Sequence, residues 1–137
     1  MTEKIVEWSD ELATGILWQD FQHAELIDHI NRLQQAILAK QAQAELWRMI
    51  DFLEKYVDNH FSMEERYMEV AHDPTIQAHA RAHQQFRENL TELRSYDGTG
   101  AQITAAALCY DLYEWVTNHI RTTDKALGHL LQQKGLQ

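Results

Sequence analysis

Four stretches of this sequence repeat apolar residues at steps of three and four, and no stretch alternates at a step of two for long enough to make a strand. One proline and five glycines interrupt 137 residues, and the proline and four of the glycines fall as punctuation at Asp73-Pro74, at Asp97-Gly98-Thr99-Gly100, and at Gly128 and Gly135 near the C-terminus. The spacing predicts helices over about residues 20–40, 43–70, 74–95 and 102–131. Asp73 is placed to cap the third, with Pro74 at its first helical position. The joint between the first two, near Gln41-Ala42, contains neither Gly nor Pro. Helices of this length are each roughly 30–45 Å long, and with short joints they predict an all-α protein, an antiparallel up-down four-helix bundle. Residues 1–18 precede the bundle and carry Trp8, Ile16, Leu17 and Trp18, so they are expected to pack on it as an arm. The whole of 1–137 reads as one domain.

Composition narrows the function. Hydrophobic residues make up 45% and charged residues 24%, as in an ordinary globular domain. Twelve basic against 21 acidic residues give a net charge of −9, which argues against nucleic acid as a partner because phosphate binding needs a basic face. No apolar run approaches the roughly 18 residues of a membrane span. The first residues, MTEKIVEWSDELATG, lack a basic start followed by an apolar run, so no secretory signal is expected. The single cysteine, Cys109, has no internal disulfide partner and reads as a small buried apolar residue. A cytoplasmic location is expected on these grounds. The outward faces show no large apolar patch, so a monomer is expected.

The informative feature is what interrupts the apolar stripes. The first stripe reads His23, Leu26, Ile30, Leu33, Ile37. The second reads Leu46, Ile50, Leu53, Val57, His60, Glu64, Met68. The third reads Ile76, His79, His83, Phe86, Leu90, Leu93, and the fourth Leu108, Leu112, Trp115, His119. Five imidazoles and a carboxylate thus point into one bundle. Buried polar groups cost several kcal/mol each unless partnered. A metal centre partners them. His60 and Glu64 are four residues apart, as are His79 and His83, so each pair shares a helix face.

His119 and Asp124 are five residues apart, about 140° around a straight α-helix, and would not share a site. The stripe nevertheless resumes at Asp124, Leu127 and Leu131, displaced by one residue. A one-residue π-bulge between 119 and 124 would turn both inward, and such bulges recur at functional sites. The alternative leaves Asp124 solvated and continues the stripe through Thr123, Ala126 and Leu130. The pattern alone leaves both open.

Five imidazoles and two carboxylates are too many for one ion and suit two first-row metals bridged by carboxylates. No thiolate takes part, and mixed N/O ligation suits iron, manganese or zinc. Ferritin-like di-iron sites use mostly Glu. A more neutral, histidine-rich set favours the ferrous pair, and with it reversible binding of dioxygen over its activation.

The segments Asp20-Phe21-Gln22-His23-x-x-Leu26, His60-Phe61-x-x-Glu64-Glu65, His79-x-x-x-His83-x-x-Phe86 and Trp115-x-x-x-His119-Ile120-x-x-x-Asp124 stand in an order that resembles the hemerythrins, specifically the single-domain bacterial ones. The resemblance spans about residues 8–131, and the spacing of five between His119 and Asp124 is itself a family feature, which favours Asp124 as a ligand. It implies two non-haem iron ions with an oxo or hydroxo bridge. His79, His83 and His119 would bind one iron. His23 and His60 would bind the other, which keeps an open position for dioxygen, and Glu64 and Asp124 would bridge the two. The implied role is oxygen storage or delivery to an oxygen-consuming enzyme, without catalysis by the protein itself. The alternatives are a di-iron oxidase or peroxidase, or an oxygen or redox sensor acting through a partner protein. The resemblance departs at His72-Asp73-Pro74, where relatives often carry an aromatic residue before the proline. His29, His72 and His129 lie off the stripes and are expected at the surface, and Glu65 is expected to face away from the irons.

Overall fold

The computed structural model describes residues 6–95 and 99–136. It is a bundle of four helices: α1 (Leu17–Leu38), α2 (42–70), α3 (Ile76–Leu93) and α4 (101–133). Two helices change winding part-way. In α2 a π-helical turn, Val57–Phe61, separates α-helical segments Ala42–Tyr56 and Ser62–Val70. In α4 a π-helical stretch, Trp115–Asp124, separates Ala101–Glu114 from Lys125–Gln133. No strand occurs among the described residues, and none of their helices is long and apolar enough to cross a membrane.

The joints explain where the helices stop. After α1, Lys40 takes a left-handed conformation (φ 57°), its N–H bonds the Ile37 carbonyl, and Gln41 N–H bonds that of Ala36. After α2, His72 (φ 55°) and Asp73 repeat the arrangement onto Glu69 and Met68. This is the closing motif that usually employs glycine. A joint without Gly or Pro is therefore still a sharp stop. The start of α3 lies two residues later than the sequence predicts. Asp73 accepts hydrogen bonds from the backbone N–H (2.8 Å) and hydroxyl (2.7 Å) of Thr75, so Asp73 and Pro74 form a turn and the helix begins at Ile76. The Asp97-Gly98 part of the second predicted break lies outside the described residues.

Leu17 and Trp18, expected in the arm, belong to α1, which starts three residues earlier than predicted. Its first-turn Asp20 ties the incoming chain. One carboxylate oxygen accepts from the Thr14 N–H (2.7 Å) and hydroxyl (3.0 Å), the other from the Gly15 N–H (3.2 Å). Further out, Val6 is latched to Asn31 by two hydrogen bonds of 3.2 and 2.7 Å, and Leu12 and Ile16 are buried. The core forms two blocks. One runs from Leu26 and Leu33 through Leu46, Leu53 and Phe61 to Leu112 and Ile120. The other gathers Ile16, Met68, Ala71, Leu127 and Leu131.

Gly128 is no helix break. It lies inside the last α-helical segment, buried, where the arm crosses. A Cβ there would stand 2.7 Å from the Thr14 Cβ and 3.0 Å from the Thr14 carbonyl oxygen. Gly128→Ala gains about 1 kcal/mol of helix propensity. It also pushes on an arm segment that Asp20 holds in place, and overpacking of this kind costs about 1–3 kcal/mol. We expect net destabilisation, read as a lower urea midpoint. An unchanged or higher midpoint would mean that the arm yields freely.

Candidate metal centre

Each helix contributes to the polar cluster that lies, along α2 and α4, between the two apolar blocks. From α1 comes His23, from α2 His60 and Glu64, from α3 His79 and His83, and from α4 His119 and Asp124. All seven are buried, none more than 7% exposed. On α4 the π winding is the cause. Hydrogen bonds from i to i+5 set residues five apart nearly above one another, so His119 and Asp124 face the same way. Trp115 to Asp124 is wider than the single-residue bulge expected, but the phase slip is the one the stripe indicated: Asp124 and Leu127 are buried and Ala126 is exposed.

The seven side chains fall into two sets. Ligand-type atoms of Glu64, His79, His83, His119 and Asp124 all lie within 4.8 Å of one another, and so do those of His23, His60, Glu64 and Asp124. Both carboxylates belong to both sets. Asp124 Oδ1 is 2.9 Å from His79 Nε2 and 3.1 Å from His119 Nε2, while its Oδ2 is 3.0 Å from His23 Nε2. Glu64 Oε1 is 3.1 Å from His83 Nε2, and its Oε2 is 3.1 Å from His60 Nε2. Each carboxylate thus spans the two sets with one oxygen toward each. Five ring nitrogens, all Nε2, converge on them.

The donor set fits metal ions. His83 Nε2, His119 Nε2 and Glu64 Oε1 are buried without a hydrogen-bond partner, although they face the cluster. Such atoms cost about 1–3 kcal/mol each, and a cation sharing them removes that cost. Without a cation the charges partly compensate one another. Burial opposes charging His60 and His79, yet Glu64 and Asp124 outweigh it and hold both rings up at about 9. Burial and mutual repulsion push the Glu64 carboxyl up, but His60 and His79 outweigh them and leave it well below the usual carboxylate range. Burial likewise opposes charge on Asp124, and the surrounding imidazoles, His119 first, with His23, His60 and His79, hold it low.

Behind the rings stand residues that the stripes did not single out. Gln19, fully buried on α1, donates to Glu64 Oε2 at 2.6 Å. Gln22 Oε1 is 2.5 Å from His60 Nδ1. Glu65 Oε2 is 2.8 Å from His83 Nδ1. Glu65 does face away from the cluster, as its position 100° around from Glu64 predicts, but it reaches the outer edge of a ring from α3. Gln19 and Gln22 sit four and one residues before His23, a signal visible in sequence only once His23 is taken as a ligand. Aromatic rings fix the imidazole planes: Phe61 stacks on His83 (3.9 Å, 4°), Trp115 on His119 (3.9 Å, 15°) and Tyr56 on His60 (4.8 Å, 17°). His72 and His129 are exposed and away from the cluster. His29 is only half-exposed, because it stacks on Phe52 at 3.6 Å.

A four-helix bundle with two histidine-rich sets joined by two shared carboxylates defines a class, the helical proteins whose facing side chains are able to hold metal cations. The profile of the hemerythrin HHE cation binding domain matches residues 14–131. Similar proteins include the bacteriohemerythrin of Stenotrophomonas maltophilia strain R551-3, 35% identical over 122 residues, which cover 89% of this chain and 78% of that protein. The bacteriohemerythrin of Pseudomonas aeruginosa strain LESB58 is 34% identical over 117 residues (85% and 75%), and that of Methylococcus capsulatus strain Bath 26% identical over 121 residues (88% and 92%). The chain belongs to the hemerythrin family.

Proposed function

We propose that this protein binds dioxygen reversibly at a non-haem di-iron centre held by His23, His60, Glu64, His79, His83, His119 and Asp124. His79, His83 and His119 would hold one iron and His23 and His60 the other, with Glu64 and Asp124 available to both. The observation that carries this reading is the sharing of both carboxylates between two histidine sets, each oxygen turned toward a different set. The name bacteriohemerythrin on relatives at 34–35% identity supports it.

Bound there, two ferrous ions supply the site for dioxygen and the electrons that its binding takes up. The chain does the rest. His23 and His60 would give their subsite one ring nitrogen fewer than His79, His83 and His119 would give the other, which leaves a position for dioxygen. Gln19 orients Glu64 by donating to the oxygen on the His60 side. Phe61, Trp115 and Phe86 form an apolar wall against the His83 and His119 rings and hold their planes. We read the protein as a cytoplasmic carrier or store that serves an oxygen-consuming enzyme, not as a catalyst.

The test is anaerobic loading with ferrous iron, admission of air, and removal of oxygen, followed in the visible spectrum. A charge-transfer band that appears with oxygen and vanishes on its removal is the expected result. Rapid irreversible conversion to a stable diferric form would replace carriage with oxidase chemistry or sensing. His119→Ala should abolish two-iron loading, and His129→Ala, at an exposed ring, should not. Equal loading in both would sink the assignment of residues.

A further inference from the structure

The two histidine sets are backed differently. For a ring to present Nε2 inward as a lone pair, its Nδ1 must carry the proton and donate it outward. His83 Nδ1 donates to a carboxylate, Glu65 Oε2, at 2.8 Å. His60 Nδ1 donates to a neutral amide oxygen, Gln22 Oε1, at 2.5 Å. His23 Nδ1 is buried and has no partner. The negative charge behind His83 is held in place from α3: Arg87 Nη1 lies 3.5 Å from the same Glu65 oxygen, and its guanidinium sits 5.3 Å over the Phe61 ring that stacks on His83.

The surroundings differ in the same direction. Phe61 packs flat on His83 at 3.9 Å and is fully buried. His60 instead forms part of a cavity of about 250 Å³, with Gln22, Glu25, Lys55, Tyr56 and Asn59 around it. One set therefore has three rings, an anionic backing group and the fully buried Phe61 ring packed against it. The other has two rings, a neutral backing group and an adjoining cavity.

We propose that Glu65 is a positioning residue that sets the order of metal loading. By fixing the His83 tautomer and raising its donor strength, it makes the His79–His83–His119 subsite bind first and more tightly than the His23–His60 subsite. Gln22, neutral at the equivalent place behind His60, leaves the second subsite weaker. This rests on the seven-residue metal centre proposed above.

The test uses Co(II) as the probe, titrated into metal-free protein under argon, with its visible bands and calorimetry read together. Wild type should take up two equivalents in two resolved steps. Glu65→Gln, which keeps shape and removes charge, should weaken the first step by about 10–100-fold and leave the second nearly unchanged, so that the steps merge. Gln22→Glu should tighten the second step and also bring the two together. The metal-free variants are checked by circular dichroism and melting, since a merely structural role for Glu65 would weaken both steps alike. The proposal is overturned if wild type loads both ions in one unresolved step, if the Glu65→Gln titration superimposes on wild type, or if both steps weaken equally. No Co(II) uptake by wild type at all would instead overturn the metal centre itself.

Discussion

Stripping metal from the loaded protein is expected to lower its melting temperature by on the order of 12–20 °C. An ion that binds only the folded chain stabilises it by about 4 kcal/mol when present at 1,000 times its dissociation constant. In a domain of this size each kcal/mol moves the midpoint by roughly 3–5 °C. The molecular origin lies in the cluster. His83 Nε2, His119 Nε2 and Glu64 Oε1 are buried and unpartnered in the metal-free chain, and His60 and His79 stay protonated up to about pH 9 only to balance the two carboxylates. Loading displaces those protons, so uptake should weaken as pH falls below about 9. Scanning calorimetry with and without a strong chelator measures the shift. Asp124→Ala, which removes a group common to both sets, should melt at the same temperature with and without metal. A wild-type shift of a degree or less would show that the cluster is satisfied without a cation.

Much of this site was legible because burial is written into helical phase. His23, His60, Glu64, His79, His83 and His119 each stand where a Leu or Ile would serve, and each is buried. Asp124 was legible only as a slip. The stripe on α4 jumps one residue after His119, and a helix that keeps its core face through such a jump must change its winding. The same logic shows why the π turn at Val57–Phe61 left no trace. The stripe Leu46, Ile50, Leu53, Val57, His60, Glu64, Met68 never breaks step, and every member is buried, so no displaced phase signals the local change.

The residues behind the rings were hidden for another reason. Periodicity reports which face of a helix is buried, not what touches the back of a side chain from the neighbouring helix. Glu65 and Gln22 lie off the stripes of their own helices and matter only because His83 and His60 come within reach. Gly128 was misread as punctuation for a related reason. A glycine required by close approach of another segment looks, in one dimension, like a glycine that ends a helix, and only the crossing of Thr14 distinguishes them.

Phe61→Ala is expected to cost about 3–5 kcal/mol, the range for truncating a fully buried aromatic side chain. The Phe61 ring is 0% exposed, lies parallel to His83 at 3.9 Å, meets Phe86 edge-on at 5.4 Å and stands 5.8 Å from Trp115. Its removal leaves a cavity beside the rings and takes away the surface that holds the His83 plane. Phe61→Leu keeps most of the volume and should lose less than half as much. Urea unfolding of the metal-free proteins measures both, and a loss below about 1 kcal/mol for Phe61→Ala would show that the neighbours collapse into the space. The loaded protein gives a separate reading through the thermodynamic cycle. If Phe61 also orients His83, its loss weakens metal binding, and that weakening adds to the folding loss. Phe61→Ala must then be more destabilising with metal than without it, by the change in binding free energy. Equal losses in the two states would confine Phe61 to core packing. A larger loss in the loaded state would make the same ring both part of the apolar block and a support of the metal centre.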